Sequence, residues 1–197
     1  MSERTARIAR TTKETDIELS VDLDGTGTTD IETGIGFFNH MLTPFGRHGL
    51  FDLSVRAEGD LEVDGHHTVE DVGIVAGQAF ASALGDKRGI RRFRSIALPM
   101  DEALILAAVD ISGRGQLFWE ADVPAVMVGS FDATLAKEFF IAFAANAGVT
   151  LHIRELAGEN THHVIEGMFK AVARAMRQAV EADPRMGDAL PTTKGAL

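Results

Sequence analysis

The sequence predicts an α+β fold made by tandem duplication of a strand-strand-helix-strand-helix unit. Three observations predict it. Alternating apolar runs are followed by helical periodicity twice over, in the same order. Glycine-rich segments mark the seams, Asp24-Gly25-Thr26-Gly27 after the first strand pair and Gly85–Gly89 between the halves. A histidine doublet recurs at the start of the last helix of each half.

Taken in order, Thr5–Thr11 and Asp16–Asp24 alternate as a strand pair, and Ile35–His48 has helical spacing with Pro44 as a kink or early stop. Leu50–Ala57 is a strand. Val69–Leu84 is a helix with Val72, Ala76, Ala79, Phe80 and Ala83 on one face. In the second half Ser95–Pro99 and Ala103–Ile111 are strands, and Gln116–Ala121 extends the sheet. Asp132–Ala147 is a helix that Asp132 would cap, and Val149–Glu155 is a strand. His162–Ala182 is a long helix with Met168, Ala171, Val172, Ala175 and Ala179 inward, stopped by Asp183-Pro184. The division is therefore residues 1–88, residues 89–184 and a polar tail, 185–197, expected to fray.

The chain has 197 residues, 45% of them hydrophobic, enough for one substantial core. It has no cysteine, so disulfides and thiolate metal sites are out. No apolar run is long enough for a membrane span, and the polar start, Met1–Thr15, is neither a secretory signal nor an anchor. A cytoplasmic location is the default. The net charge of −10 argues against nucleic acid as a partner. It leaves room for a small anion, since a few cations in a pocket bind phosphate whatever the total charge.

The chemistry sits in the doublets, Asp64-Gly65-His66-His67-Thr68-Val69-Glu70-Asp71 and Asn160-Thr161-His162-His163-Val164-Ile165-Glu166, 96 residues apart. On a helix, positions i and i+4 share a face, so His66 with Glu70 and His162 with Glu166 can each chelate an ion. Adjacent side chains diverge by about 100°. His67 and His163 therefore reach toward a second ion, for which another subunit is a candidate source of ligands. Imidazole and carboxylate without thiolate suit Mn, Fe, Ni or Zn. Chance would give one such run in about one chain in fifty of this composition, and two on the order of once in 10⁴. On spacing alone His40 reads as a core histidine, His48 as a helix C-terminal cation and His152 as a strand residue. Arg92, Arg114 and Lys194 read as solvated cations in settings open to a pocket.

Five segments together resemble the imidazoleglycerol-phosphate dehydratase family: GFFNHML, DGHHTVED, LPMDEALILAAVDISGR, GVTLHIRELAGENTHHVIEGMFKAVARAMRQA and the terminal PTTKGAL. The resemblance runs from about Arg7 to Leu197. It implies two halves of the ribosomal protein S5 second-domain type, each a four-stranded sheet with two helices on one face. It further implies a hollow octahedral shell of about 24 subunits, with metal sites at subunit contacts. The cofactor implied is Mn²⁺, two ions per active site, held by His40, His66, His67, Glu70, His162, His163 and Glu166. Glu14, His40 and His48 would contact substrate, and Arg92, Arg114, Thr192, Thr193 and Lys194 its phosphate. Glu138 stands where many members have a ligating histidine, and is expected to ligate with altered affinity. Thr192 and Thr193 stand where serine is usual and keep the hydroxyl.

The activity implied is loss of water from imidazoleglycerol phosphate to give imidazole-acetol phosphate, in histidine biosynthesis. No carbonyl activates the proton lost from carbon. Metal on both ring nitrogens would make an imidazolate able to expel the neighbouring hydroxyl. Glu14, Glu70 and Glu166 are candidate proton carriers, and Glu14 is favoured because the other two would be occupied by metal. Two other readings fit the doublets alone: a dinuclear hydrolase, and a non-catalytic shell stapled or loaded with metal.

Overall fold

A computed structural model describes residues 4–195 and Leu197; residues 1–3 of the polar start and Ala196 of the tail lie outside it. The first half runs β1 (Thr5–Thr11), β2 (Thr15–Asp22), β3 (Thr29–Glu32), α1 (Gly36–Gly49), β4 (Asp52–Gly59) and α2 (His66–Leu84). The second runs β5 (Phe93–Met100), β6 (Ala103–Asp110), β7 (Gln116–Glu120), a hairpin of β8 (Met127–Val128) and β9 (Phe131–Asp132), α3 (Leu135–Ala147), β10 (Thr150–Ala157) and α4 (Thr161–Val180). Each half forms a four-stranded sheet, ordered β1-β2-β4-β3 and β5-β6-β10-β7. The duplication therefore holds, and the first half carries one strand more than its periodicity predicts. That strand, β3, lies parallel to β4 with Ile31 opposite Val55.

Alternation explains which face of each sheet is covered. Ile17, Leu19 and Val21 of β2, and Ala103, Ile105, Ala107 and Val109 of β6, are buried, whereas Glu18, between Ile17 and Leu19, faces outward; on β1 Ala6 and Ile8 turn inward, half-buried against the core. The inner faces take α2 and α4 respectively. Between the sheets the helices meet crosswise, α1 on α4 and α2 on α3. The core there is phenylalanine from all four helices: Phe38 and Phe45, Phe80, Phe139, Phe140 and Phe143, and Phe169. Tyrosine is absent, so these rings bring no hydroxyl that needs a partner. α2 and α3 touch through backbone, because Gly73 and Gly77 leave no room for a side chain: a Cβ at Gly77 would lie 2.7 Å from the Phe143 carbonyl oxygen.

Three element boundaries differ from the periodicity. α1 continues through Pro44 to Gly49; the lost N–H sacrifices one hydrogen bond, but burial of Phe38, Met41, Leu42 and Phe45 holds both sides of it. α2 starts at His66 rather than Val69, because the Asp64 carboxylate accepts from the His66 N–H at 2.7 Å and starts the helix early. Asp132 is not the cap of α3. It ends the β8–β9 hairpin and binds the Thr134 N–H and hydroxyl at 2.9 and 2.7 Å. The tail does not fray either. The Ala189 carbonyl accepts from Gly89 N–H at 3.0 Å, and the Pro191 carbonyl from Arg92 at 2.8 Å, tying it along the start of β5. No helix of the described residues is long and apolar enough to cross a membrane.

Candidate metal centres and phosphate pocket

Both doublets begin a helix, and for the same local reason. Asn160 does for α4 what Asp64 does for α2, its side-chain oxygen accepting from the His162 N–H at 2.9 Å. The histidines thus sit in the first turn, where the chain enters from the sheet and the rings stay accessible.

In the second half the ring of His162 lies with its Nε2 3.1 Å from Glu166 Oε2, and His40, brought across by α1, has its Nε2 3.6 Å from the same oxygen. The three donors lie within 4.8 Å of one another, a set that one divalent cation can draw together. Phe37 packs edge-on against the His162 ring, limiting its rotation. Lys170, one turn on, holds the other carboxylate oxygen at 2.6 Å. Burial pushes the Glu166 carboxyl up, but the hydrogen bond and charge of Lys170, with His40 and His162, outweigh it and the pKa lies below the usual carboxylate value. Glu166 is thus an anion with one oxygen committed and one aimed at the histidines. His48, at the end of α1, feels burial first and then the positive charges of Lys170 and Arg174, which hold its pKa below that of a free imidazole.

The first half is looser. His66 Nε2 is 3.8 Å from Glu70 Oε2, and both side chains are nearly half exposed. Glu138, half-buried in the first turn of α3, is ten residues before the left-handed residue that ends its helix, Gly148; His40 is ten before Leu50, which ends α1 the same way. Since α3 packs on α2 as α1 packs on α4, Glu138 is the position that corresponds to His40 in the repeat.

The second histidine of each doublet turns to a carboxylate instead. His67 Nδ1 is 3.0 Å from Asp60 and 4.0 Å from Glu14; His163 Nδ1 is 2.8 Å from Glu102, with Asp101 3.6 Å from its Nε2. Hydrogen bonds to Asp60 and Glu102 raise both histidine pKa values above that of free imidazole. Glu102 is held down to about 2, by His163 first and by the Asn160 N–H next. A carboxylate on Nδ1 fixes a ring so that Nε2 faces outward, the arrangement of a metal-ligating histidine.

The cations gather elsewhere. Arg92, Arg114, Thr192, Thr193 and Lys194 line one pocket of about 530 Å³, walled by Phe93, Leu190 and Pro191. Arg92 pairs with Asp110 at 2.7 and 3.3 Å and stacks on Phe93. Arg114 has one long contact, 3.4 Å to the Ser112 carbonyl. Arg92, Arg114 and Lys194 are therefore together in this pocket, apart from the histidine doublets. Glu14 is in the β1–β2 turn beside His67. His152 is apart from both sites, stacked on Phe118. Sequence reading missed Asp60, Asp101, Glu102 and Lys170. Only Lys170 had a sequence signal, its i+4 spacing from Glu166.

The imidazoleglycerol-phosphate dehydratase family model matches residues 33–176. Imidazoleglycerol-phosphate dehydratases of Acidiphilium cryptum and Roseobacter denitrificans are 62% and 60% identical to this chain, each over 98% of it and over 99% and 100% of their own length. Among solved structures, the Staphylococcus aureus imidazoleglycerol-phosphate dehydratase superposes with a TM-score of 0.82 at 41% identity, covering 91% of this chain and 99% of its own. The Pyrococcus furiosus enzyme, solved with the ligand (S)-C348, also gives 0.82, at 34% identity over 96% and 100%.

Proposed function

The chain belongs to the imidazoleglycerol-phosphate dehydratase family, and we propose from this premise that it converts imidazoleglycerol phosphate to imidazole-acetol phosphate in histidine biosynthesis, as a cytoplasmic hydro-lyase. The observation that carries the reading is the coexistence of two histidine–carboxylate sets with a separate pocket of three cations and two threonines. A substrate with an imidazole at one end and a phosphate at the other needs both.

Donor chemistry supports two divalent ions, with manganese the first choice: imidazole and carboxylate without thiolate, one set already converging within 4.8 Å. His40, His162 and Glu166 would hold one ion, His66, Glu70 and Glu138 the other, and His67 and His163 would offer their outward Nε2 atoms to a neighbouring copy. When bound, the ions would supply Lewis acidity that lets the substrate's imidazole release its N–H proton and push electrons toward the carbon that loses hydroxide. The chain's own residues do the rest. Arg114 and Lys194 bind the phosphate, with Arg92 fixed behind them by Asp110. Glu14, exposed and, among the described residues, free of ion pairs other than the long one to His67, takes the proton from carbon.

Geometry also supports assembly. Arg92 N–H bonds the Ala179 carbonyl at one end of α4, and His162 is at the other, about 25 Å away at 1.5 Å per residue. The substrate, a three-carbon chain between ring and phosphate, spans on the order of 8 Å. One chain therefore cannot grip both ends with these two sites, and we place each active site between copies in a homo-oligomer.

The test is incubation of metal-free protein with imidazoleglycerol phosphate, with and without Mn²⁺, reading the enolised ketone by ultraviolet absorption. Manganese-dependent ketone is expected. Release of inorganic phosphate instead would make the protein a hydrolase, and assembly with metal but no product would make it a non-catalytic shell. Glu14→Gln is expected to keep metal and assembly while losing most turnover.

A further inference from the structure

The two turns that face the second histidines are equivalent in the repeat, but their carboxylates do different work. Glu102, in the β5–β6 turn, is spent on structure: it holds His163 at 2.8 Å and accepts from the Asn160 N–H at 2.8 Å at the start of α4. Glu14 is in the corresponding β1–β2 turn, immediately before the strand as Glu102 is. It makes no such bonds, and its side chain is half exposed. Something else must hold the first turn.

Two groups do so, both acting from α2. His67 binds Asp60, whose backbone N–H donates to the Glu14 carbonyl at 3.1 Å. Asp71, buried one turn on from His67, accepts from the Thr15 hydroxyl at 2.5 Å and from Arg10 of β1. Thr15 is itself buried, and its hydroxyl lies 3.3 Å from that of Thr12. The Thr12 hydroxyl accepts from the N–H groups of Glu14 and Thr15 at 3.1 and 3.0 Å. The turn is thus gripped at both ends by the helix that carries His66, His67 and Glu70. The second half has no counterpart: the position matching Asp71 is Gly167, packed on Ile105, and that matching Thr15 is Ala103.

We infer that Asp71 and Thr15 are positioning residues for Glu14, fixing its turn against α2 so that its carboxylate is free to move a proton. The inference rests on the proposed proton-carrying role of Glu14. Asp60 takes the histidine and Asp71 takes the turn, the two duties that Glu102 and the α4 start absorb in the other half. Glu14 is left uncommitted at a fixed place.

Thr15→Val removes the hydroxyl and keeps the branched shape; Thr15→Ser restores the hydroxyl without the methyl. In the manganese-loaded protein we expect Thr15→Val to lower kcat about tenfold to a hundredfold, the scale of a misplacement near 1 Å, with KM, manganese content and assembly unchanged. Thr15→Ser should stay within about threefold of the parent. Hydrogen exchange of the segment 12–16 gives a readout independent of turnover, and Thr15→Val should speed it. Parent-like kcat and exchange in Thr15→Val would overturn the inference. So would equal losses in Thr15→Val and Thr15→Ser, which would mark packing rather than the hydroxyl, or loss of manganese in Thr15→Val, which would place the effect on the ligands. If the parent makes no ketone while Thr15→Val still exchanges faster, the dehydratase reading falls and the clamp stands.

Discussion

Arg114→Met tests the phosphate pocket most directly, because it removes a charge and keeps an unbranched stem. Arg92 is a poor choice for this purpose. Its Nε and one terminal nitrogen pair with Asp110 and the other binds the Pro191 carbonyl, so its loss would leave Asp110 unpaired and untie the tail. Arg114 has a single 3.4 Å contact, so its guanidinium is available to a ligand. Asp110 offsets Arg92, which leaves Arg114 and Lys194 as the cations of the pocket open to a phosphate. A hydrogen bond to a charged group contributes about 1.5–3 kcal/mol. Arg114 is exposed in the single chain, so the lower end applies, and about 1.5 kcal/mol corresponds to roughly tenfold in KM. The phosphate does not react, so its grip is uniform between ground and transition states and kcat should hold within about threefold. Steady-state kinetics with saturating Mn²⁺, together with inhibition by inorganic phosphate at two ionic strengths, measures both quantities. A KM within about threefold of the parent with unchanged phosphate inhibition would refute the assignment of the pocket.

The other predictions concern metal choice, packing and pH. Glu138→His exchanges an oxygen donor for nitrogen, so competition dialysis should find one site per chain with a lower manganese-to-zinc ratio; an unchanged ratio would remove Glu138 from the ligands. Gly77→Ala places a Cβ 2.7 Å from the Phe143 oxygen and 2.8 Å from the Ala147 nitrogen, so α2 and α3 must part. Overpacking of about 2 kcal/mol against about 1 kcal/mol of regained helix propensity lowers Tm of the metal-free protein by about 2–4 °C, and a higher Tm would contradict so close a crossing. His48, with its pKa held down by burial and by Lys170 and Arg174, takes up its proton less readily folded than unfolded. Stability is therefore complete above the unfolded value of 6.5 and declines as pH falls below it, so the parent should lose Tm relative to His48→Asn between pH 7.5 and 5. A constant difference would mean that His48 titrates normally.

The sequence made the duplication legible because alternation and helical spacing survive wherever one face is buried, as in Ile17-Glu18-Leu19 of β2. β3 was not legible: Thr-Asp-Ile-Glu offers a single apolar residue, and its place is set by pairing with β4 rather than by burial. The doublets stood out, since helical geometry links His162 to Glu166 without tertiary knowledge. The partners of the second histidines did not, because Glu102 is 61 residues from His163 and meets it only when the β5–β6 turn folds over the start of α4. The docked tail was hidden for a similar reason. Its bonds run from backbone carbonyls to Gly89 and Arg92, and a polar composition says nothing about carbonyls.

Duplication gives two copies of a histidine-bearing helix start, and divergence has given each half a different second task. The second half clamps Glu166 with Lys170 and closes the cation pocket with its tail, tying up Glu102 in the process. The position one turn beyond Glu70 is Ile74, so the first-half carboxylate has no such lysine. What the first half has instead is a buried polar grip under an uncommitted Glu14. On the proposed reading, about 25 Å of α4 separates the cations from His162, too far for one substrate to reach both within a chain. Assembly would then be a condition of catalysis rather than an addition to it. On that reading His67 and His163 would hold metal with a neighbouring copy, so chelation should dissolve the oligomer and the active site together, and sedimentation after chelation should show both lost at the same chelator concentration; activity persisting in separated single chains would defeat the argument.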